Sequence, residues 1–201
     1  MTDQKQLREE YEEMLINFRA EAEKLFGRRT KYQLDPIGYR NEDTPETTML
    51  LNDPLYGGIT FKVWLNECVL TNLKECIFQL SHEVVHLLSP VEQSEGNEVN
   101  YLEEGMAVYL SKRITERECK DYNYCNAAIA KLPAYYQAYM RYMSLVEIDP
   151  KAIAKVRKYQ TVIGSLQYDD FLKAGIAVPK ELADLLLEKF VRPGSEGSGD
   201  C

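Results

Sequence analysis

The stretch Ser81-His82-Glu83-Val84-Val85-His86-Leu87-Leu88 constrains this chain more than any other part of it. It sets two histidines four residues apart inside an apolar run. On a helix that spacing puts them one turn apart on the same face, so both imidazoles can reach one Zn²⁺ ion. Glu83 projects about 100° further round the helix. A carboxylate there stands beside a metal-activated water without ligating the metal. The chain has two histidines and both lie in this motif. The plainer alternative is a pair of core histidines next to a solvent-facing glutamate. A third ligand at a suitable distance separates the two.

Candidates for that ligand follow in Tyr101-Leu102-Glu103-Glu104-Gly105-Met106-Ala107-Val108-Tyr109-Leu110. Catalytic zinc usually has three protein ligands and an open position, and two histidines with a glutamate are one known set. Seventeen residues separate His86 from Glu104, which suits a short loop and the first turns of a second helix. Glu103 and Glu104 point about 100° apart on a helix, and spacing alone leaves both open. Small residues at Gly105 and Ala107 would let this helix approach the histidine helix closely.

Over residues 72 to 113 or so, about a fifth of the chain, the sequence resembles the gluzincins. These are zinc peptidases with two histidines on one helix and a glutamate on the next. The likeness is closest to the aminopeptidase branch, whose second motif is a glutamate followed by Gly-x-Ala, here Glu104-Gly105-Met106-Ala107. The resemblance implies one Zn²⁺ per chain held by His82, His86 and Glu104, with Glu103 as the fallback ligand. It implies Glu83 as general base in peptide-bond hydrolysis, with a peptide or protein as substrate. It also implies a zincin-like α+β fold, in which a small sheet lies over the histidine helix and an edge strand pairs with substrate backbone. The Gly-x-Met-Glu-Asn type of motif that exopeptidases of that branch use is absent upstream. The expectation is therefore an endopeptidase of narrow specificity.

The bulk of the chain fits one folded domain. Its 201 residues are 45% hydrophobic and 28% charged, enough to bury a core without disulfides. A net charge of −8 leaves no basic field for phosphates, so nucleic acid is not an expected partner. No apolar run reaches the length of a membrane span, and the first residues lack a signal-peptide core. A cytoplasmic protein is the expectation; the oligomeric state stays open. Five cysteines, an odd number with no C-x-x-C spacing, read as thiols rather than a disulfide framework or a second zinc site.

Taken in order, residues 3–26 carry Leu7, Tyr11, Met14, Leu15, Phe18, Ala22, Leu25 and Phe26 in steps of three and four. That stripe predicts an amphipathic helix stopped by Gly27, either packed on the core or forming a removable prosegment. Residues 28–66 read as a sheet region, with strands at 30–34, 47–51 and 59–65. The run from Gly57 to Leu65 is the expected substrate-pairing edge strand. The histidine helix is expected over 72–88, capped by Thr71 or Asn72, and the glutamate helix runs to about Arg117. A loop over 119–126 and a long helix over 127–146, kinked at Pro133, come next. Shorter helices at 150–159, 168–174 and 179–191 complete a helical C-terminal half, and 192–201 is a flexible tail.

Tyrosine is the natural donor to a developing oxyanion, because no third histidine exists. Tyr135, Tyr136, Tyr139 and Tyr142 share one helix, and nothing in the sequence selects among them. Glu98 and Glu103 are both candidates to hold the second nitrogen of a ligating histidine. The rival to an enzyme is a non-catalytic zinc-binding, or metal-free, interaction module. Glu83, retained beside intact ligands, favours the enzyme.

Overall fold

Apolar positions nearly all the way round the histidine segment predict a helix buried on every side, and α2 (Leu73–His86) is such a helix from Cys76 onward, its first turn being exposed. The computed structural model describes residues 2–41, 46–53, 58–90 and 99–191. Asn72 caps α2 by accepting the Glu75 N–H. Cys76, Leu80, Val84, Val85, Leu87 and Leu88 are fully buried, and α2 packs against α1 (Thr2–Phe26), α3 (Tyr101–Cys119) and the sheet.

In α1 the expected stripe turns inward at Tyr11, Leu15, Phe18, Ala22 and Phe26. Gly27, at φ +96°, closes the helix with its N–H on the Glu23 carbonyl. Residues without glycine's freedom rarely adopt that conformation. The end of α1 is clamped by Arg157, which is 5% exposed. Its guanidinium donates to the carbonyls of Phe26 (3.1 Å), Gly27 (2.8 Å), Arg28 (3.0 Å), Leu88 (3.1 Å) and Thr161 (3.1 Å). One buried cation therefore ties α1, the end of α2 and the C-terminal half together. Of the two options for α1, the structure has the core-packed one.

The sheet is built round β4 (Gly58–Asn66). Its side chains alternate, with Phe61, Val63 and Leu65 buried and Lys62 and Trp64 facing outward. β3 (Glu46–Asp53) pairs with it antiparallel. β1 (Gln33–Leu34) and β2 (Gly38–Arg40) pair parallel with its first and last parts. Trp64 is in register with Gly38 on one side and Glu46 on the other, so both edges of β4 are used. The expectation that this run is an edge strand is corrected: β4 has strands on both sides, so a substrate strand cannot be added along it. The three-residue β2 was not anticipated.

The helical half differs from expectation at one junction. Residues 119–126 are not all loop, and no single kinked helix spans 127–146. Two helices replace them, α4 (Tyr122–Ala130) and α5 (Pro133–Ile148). Asp121 caps α4 by accepting from Asn123 and Tyr124. Pro133 starts α5, where its missing N–H costs no hydrogen bond. Leu132 before it is held extended (φ −124°, ψ 81°), as a residue preceding proline must be. The later helices are shorter than expected: α6 (Ala152–Val156), α7 (Tyr168–Lys173) and α8 (Lys180–Leu187). One apolar cluster draws on α1, the sheet, α2, α3 and α5 to α8. Residues 192–201 and Glu98 lie outside the described residues.

Candidate metal centre

The two motifs meet because α3 begins beside the end of α2. Asn100 caps α3 by accepting the Glu103 N–H (2.9 Å) and is itself held to the Ile163 carbonyl (3.3 Å). The segment after α8 pins the same turn from outside: Tyr101 N–H bonds Glu188 O (3.0 Å) and Phe190 N–H bonds Val99 O (2.9 Å). Glu103 and Glu104 thus sit in the first turn, where the positive end of the helix dipole favours carboxylates. Gly105 makes the close approach to α5 possible, since a Cβ there would stand 2.4 Å from the Ala138 carbonyl oxygen.

At the junction two imidazole nitrogens and one carboxylate converge. His82 Nε2 lies 3.2 Å from Glu104 Oε2 and 3.3 Å from His86 Nε2, and His86 Nε2 lies 3.9 Å from Glu104 Oε1. Zinc bonds of about 2.0–2.1 Å in tetrahedral array put neighbouring ligand atoms about 3.3–3.4 Å apart. The His82–Glu104 and His82–His86 distances match that figure, and the His86–Glu104 distance, to the other carboxylate oxygen, is about half an ångström longer. Glu104 is fully buried, and His86 is 9% exposed. The donor set of two imidazoles and one carboxylate fits a zinc ion.

Glu103 accepts from His86 Nδ1 at 2.8 Å. A proton on Nδ1 leaves the Nε2 lone pair directed at the cluster, which is the arrangement a ligating histidine requires. The two neighbouring glutamates therefore occupy different positions. Glu104 joins the donor triangle and Glu103 orients His86. Burial alone would lower the pKa of His86, but the Glu103 hydrogen bond and the charges of Glu104, Glu103 and Glu83 reverse this and raise it to about 9. Surroundings that hold a proton on that ring are equally suited to a divalent cation.

The tyrosines now separate. The Tyr135 ring stands edge-on to His82, with centroids 6.1 Å apart, and is backed by Phe190 at 4.9 Å. Tyr142 is buried beneath Gly105 and packs on Phe26 and Tyr109. Tyr139 joins the cluster round Val108 and Cys125, and Tyr136 is half exposed. Tyr135 alone of the four is placed at the metal cluster. Sequence reasoning missed Phe190 and Arg157. Neither carried a usable signal: Arg157 is one of four basic residues between Lys151 and Lys158, and nothing in the sequence sets it or Phe190 apart. The four described cysteines, Cys68, Cys76, Cys119 and Cys125, are free thiols.

No family description, curated protein or solved structure matches this chain. The site therefore stands on its own geometry.

Proposed function

We propose that the protein is a zinc-dependent peptidase of the gluzincin type, acting within a peptide or protein chain. The observation that carries this reading is the convergence of His82, His86 and Glu104 at ligand-to-ligand distances, with Glu103 on the far nitrogen of His86. Bound zinc supplies a Lewis acid that lowers the pKa of a water towards about 7 and polarises a carbonyl.

Glu83, 3% exposed and near enough to His86 to act on its charge, takes the proton from the attacking water. It then passes that proton to the leaving amine. Tyr135 is assigned as donor to the developing oxyanion, since its ring flanks His82. Asn100 and the Glu188–Phe190 segment hold the first turn of α3, and so the direction of both glutamates, fixed. Among the described residues, no helix is long and apolar enough to cross a membrane.

The test is zinc content after dialysis together with turnover of a peptide library. Glu104→Ala loses the metal, whereas Glu83→Gln keeps one zinc per chain and loses hydrolysis. Turnover retained in Glu83→Gln overturns the general-base role. Absence of zinc from the wild type, even after the metal is supplied, replaces the peptidase with a metal-free interaction module.

A further inference from the structure

A concavity lies at the other end of α3 from the metal centre. Tyr109, Lys112, Arg113, Glu116, Arg117 and Lys120 line it from that helix, and Tyr122 and Tyr139 close it. Its volume is about 700 Å³, the size of a small-molecule site. Four cations and one carboxylate line a cleft in a chain whose net charge is −8. The cations span eight residues of helix, about 12 Å, long enough to follow several linked anionic groups.

Basic residues at a helix C-terminus are ordinarily a complement to its dipole, and that accounts for Arg117. The dipole favours a cation at Lys120 too, but the backbone there does not favour lysine. Lys120 is the one described non-glycine residue with positive φ (52°, with ψ 32°), in the left-handed position that ends α3. Glycine fits that position without the strain a Cβ brings, and asparagine is the side chain most often tolerated there. A lysine there sets an ammonium on the cleft wall at a cost in backbone strain.

The arginines are held by exchangeable partners. Arg117 bonds Glu21 (2.8 Å) and Glu118 (2.8 Å), and Arg113 lies 3.5 Å from Glu21. Both guanidinium groups are about half exposed, and ion pairs of that exposure contribute little to stability. An incoming phosphate can replace those carboxylates and gain paired hydrogen bonds from each arginine. Lys112, held by Glu116 and Asn126, is more buried than either arginine. The tyrosine rings offer flat apolar walls for a planar group carried by the same ligand.

We infer that this cleft binds a nucleoside polyphosphate, with the phosphates along Lys112, Arg113, Arg117 and Lys120 and the base against the tyrosines. Nothing in this assignment depends on the metal centre.

Calorimetric titration of the purified protein with ATP, GTP, pyrophosphate, adenosine and a short poly-glutamate peptide tests it, in buffer without added metal. Lys120→Gly is the informative variant, because it relieves the strained position while removing the charge. It should melt no lower than the wild type and bind nucleotide about tenfold more weakly. Arg113→Gln should weaken binding similarly, and zinc content should be unchanged in both. Pyrophosphate binding as tightly as either nucleotide overturns the nucleoside assignment. Preference for the acidic peptide, or no binding by either nucleotide at millimolar concentration, overturns the inference as a whole.

Discussion

Gly105→Ala puts the packing of the metal centre to a test in which two effects oppose each other. In an exposed helix the change stabilises by about 1 kcal/mol, because alanine loses less backbone freedom on folding. At Gly105 the added Cβ would stand 2.4 Å from the Ala138 carbonyl oxygen, 2.6 Å from Tyr142 Cβ and 3.0 Å from the Ala138 carbonyl carbon. Ordinary contact begins near 3.4 Å, so α5 must move back from α3 by about an ångström, and well-packed interiors resist such a shift. A backbone carbonyl inside a helix cannot rotate aside as a side chain does. Overpacking typically costs about 1–3 kcal/mol, and the upper part of that range applies here. The net effect is a destabilisation of about 2 kcal/mol, a fall in Tm of about 4–8 °C for a chain of this length. The assay is thermal unfolding of the metal-free protein, so that zinc linkage does not enter. An unchanged or raised Tm would refute the close approach of α3 and α5, and with it the placement of Tyr135.

Three further outcomes follow from the buried groups His86 and Arg157. Because His86 holds its proton up to about pH 9 in the metal-free protein, zinc must displace that proton: below pH 9 each bound zinc should release one proton and affinity should rise about tenfold per pH unit. The matching stability term has the opposite sense, since a raised folded-state pKa stabilises fully below the unfolded value of about 6.5. That contribution disappears as pH rises through 9, so metal-free protein whose stability does not decline across this interval contradicts the environment described for His86. Arg157→Met keeps the bulk but removes the donor to the carbonyls of Phe26, Gly27 and Arg28 at the end of α1, and urea unfolding should show a loss of about 3 kcal/mol or more. A loss below about 1 kcal/mol would mean that water replaces the guanidinium there.

Those experiments probe features of unequal legibility in the sequence. The stripe of α1, the all-round burial of α2 and the alternation of β4 were readable because each repeats with the period of its own backbone. Pro133 was readable as a break but not as a beginning, since a proline inside an apolar run marks a kink and a first turn alike. The two glutamates were left tied by spacing. They were separated by the Asn100 cap and the chain after α8, which fix how α3 meets α2. Tyr135, Tyr139 and Tyr142 share one side of α5, and the choice among them depends on Phe190 and Ala138, residues far apart in sequence. β4 was found as a strand but misplaced at the edge, because partners are a property of the sheet and alternation is a property of the strand.

The pair Glu103-Glu104 shows why a cluster so rich in carboxylate need not be unstable. Glu83, Glu103 and Glu104 surround His86, and two of the three are supplied by the first turn of a capped helix. There the positive end of the helix dipole favours negative charge by about 0.3–1 kcal/mol per group. Neighbouring positions on a helix diverge by about 100°, so one backbone turn delivers a carboxylate to the donor triangle and another to the back of the imidazole. The orienting group needs no separate element. The cost is that the two tasks cannot be moved independently: whatever tilts the start of α3 displaces the ligand and its orienting partner together. A change at Asn100 should therefore disturb the site as a unit, whereas Glu103→Gln, which retains an acceptor for the His86 N–H, should weaken zinc binding far less than Glu104→Gln.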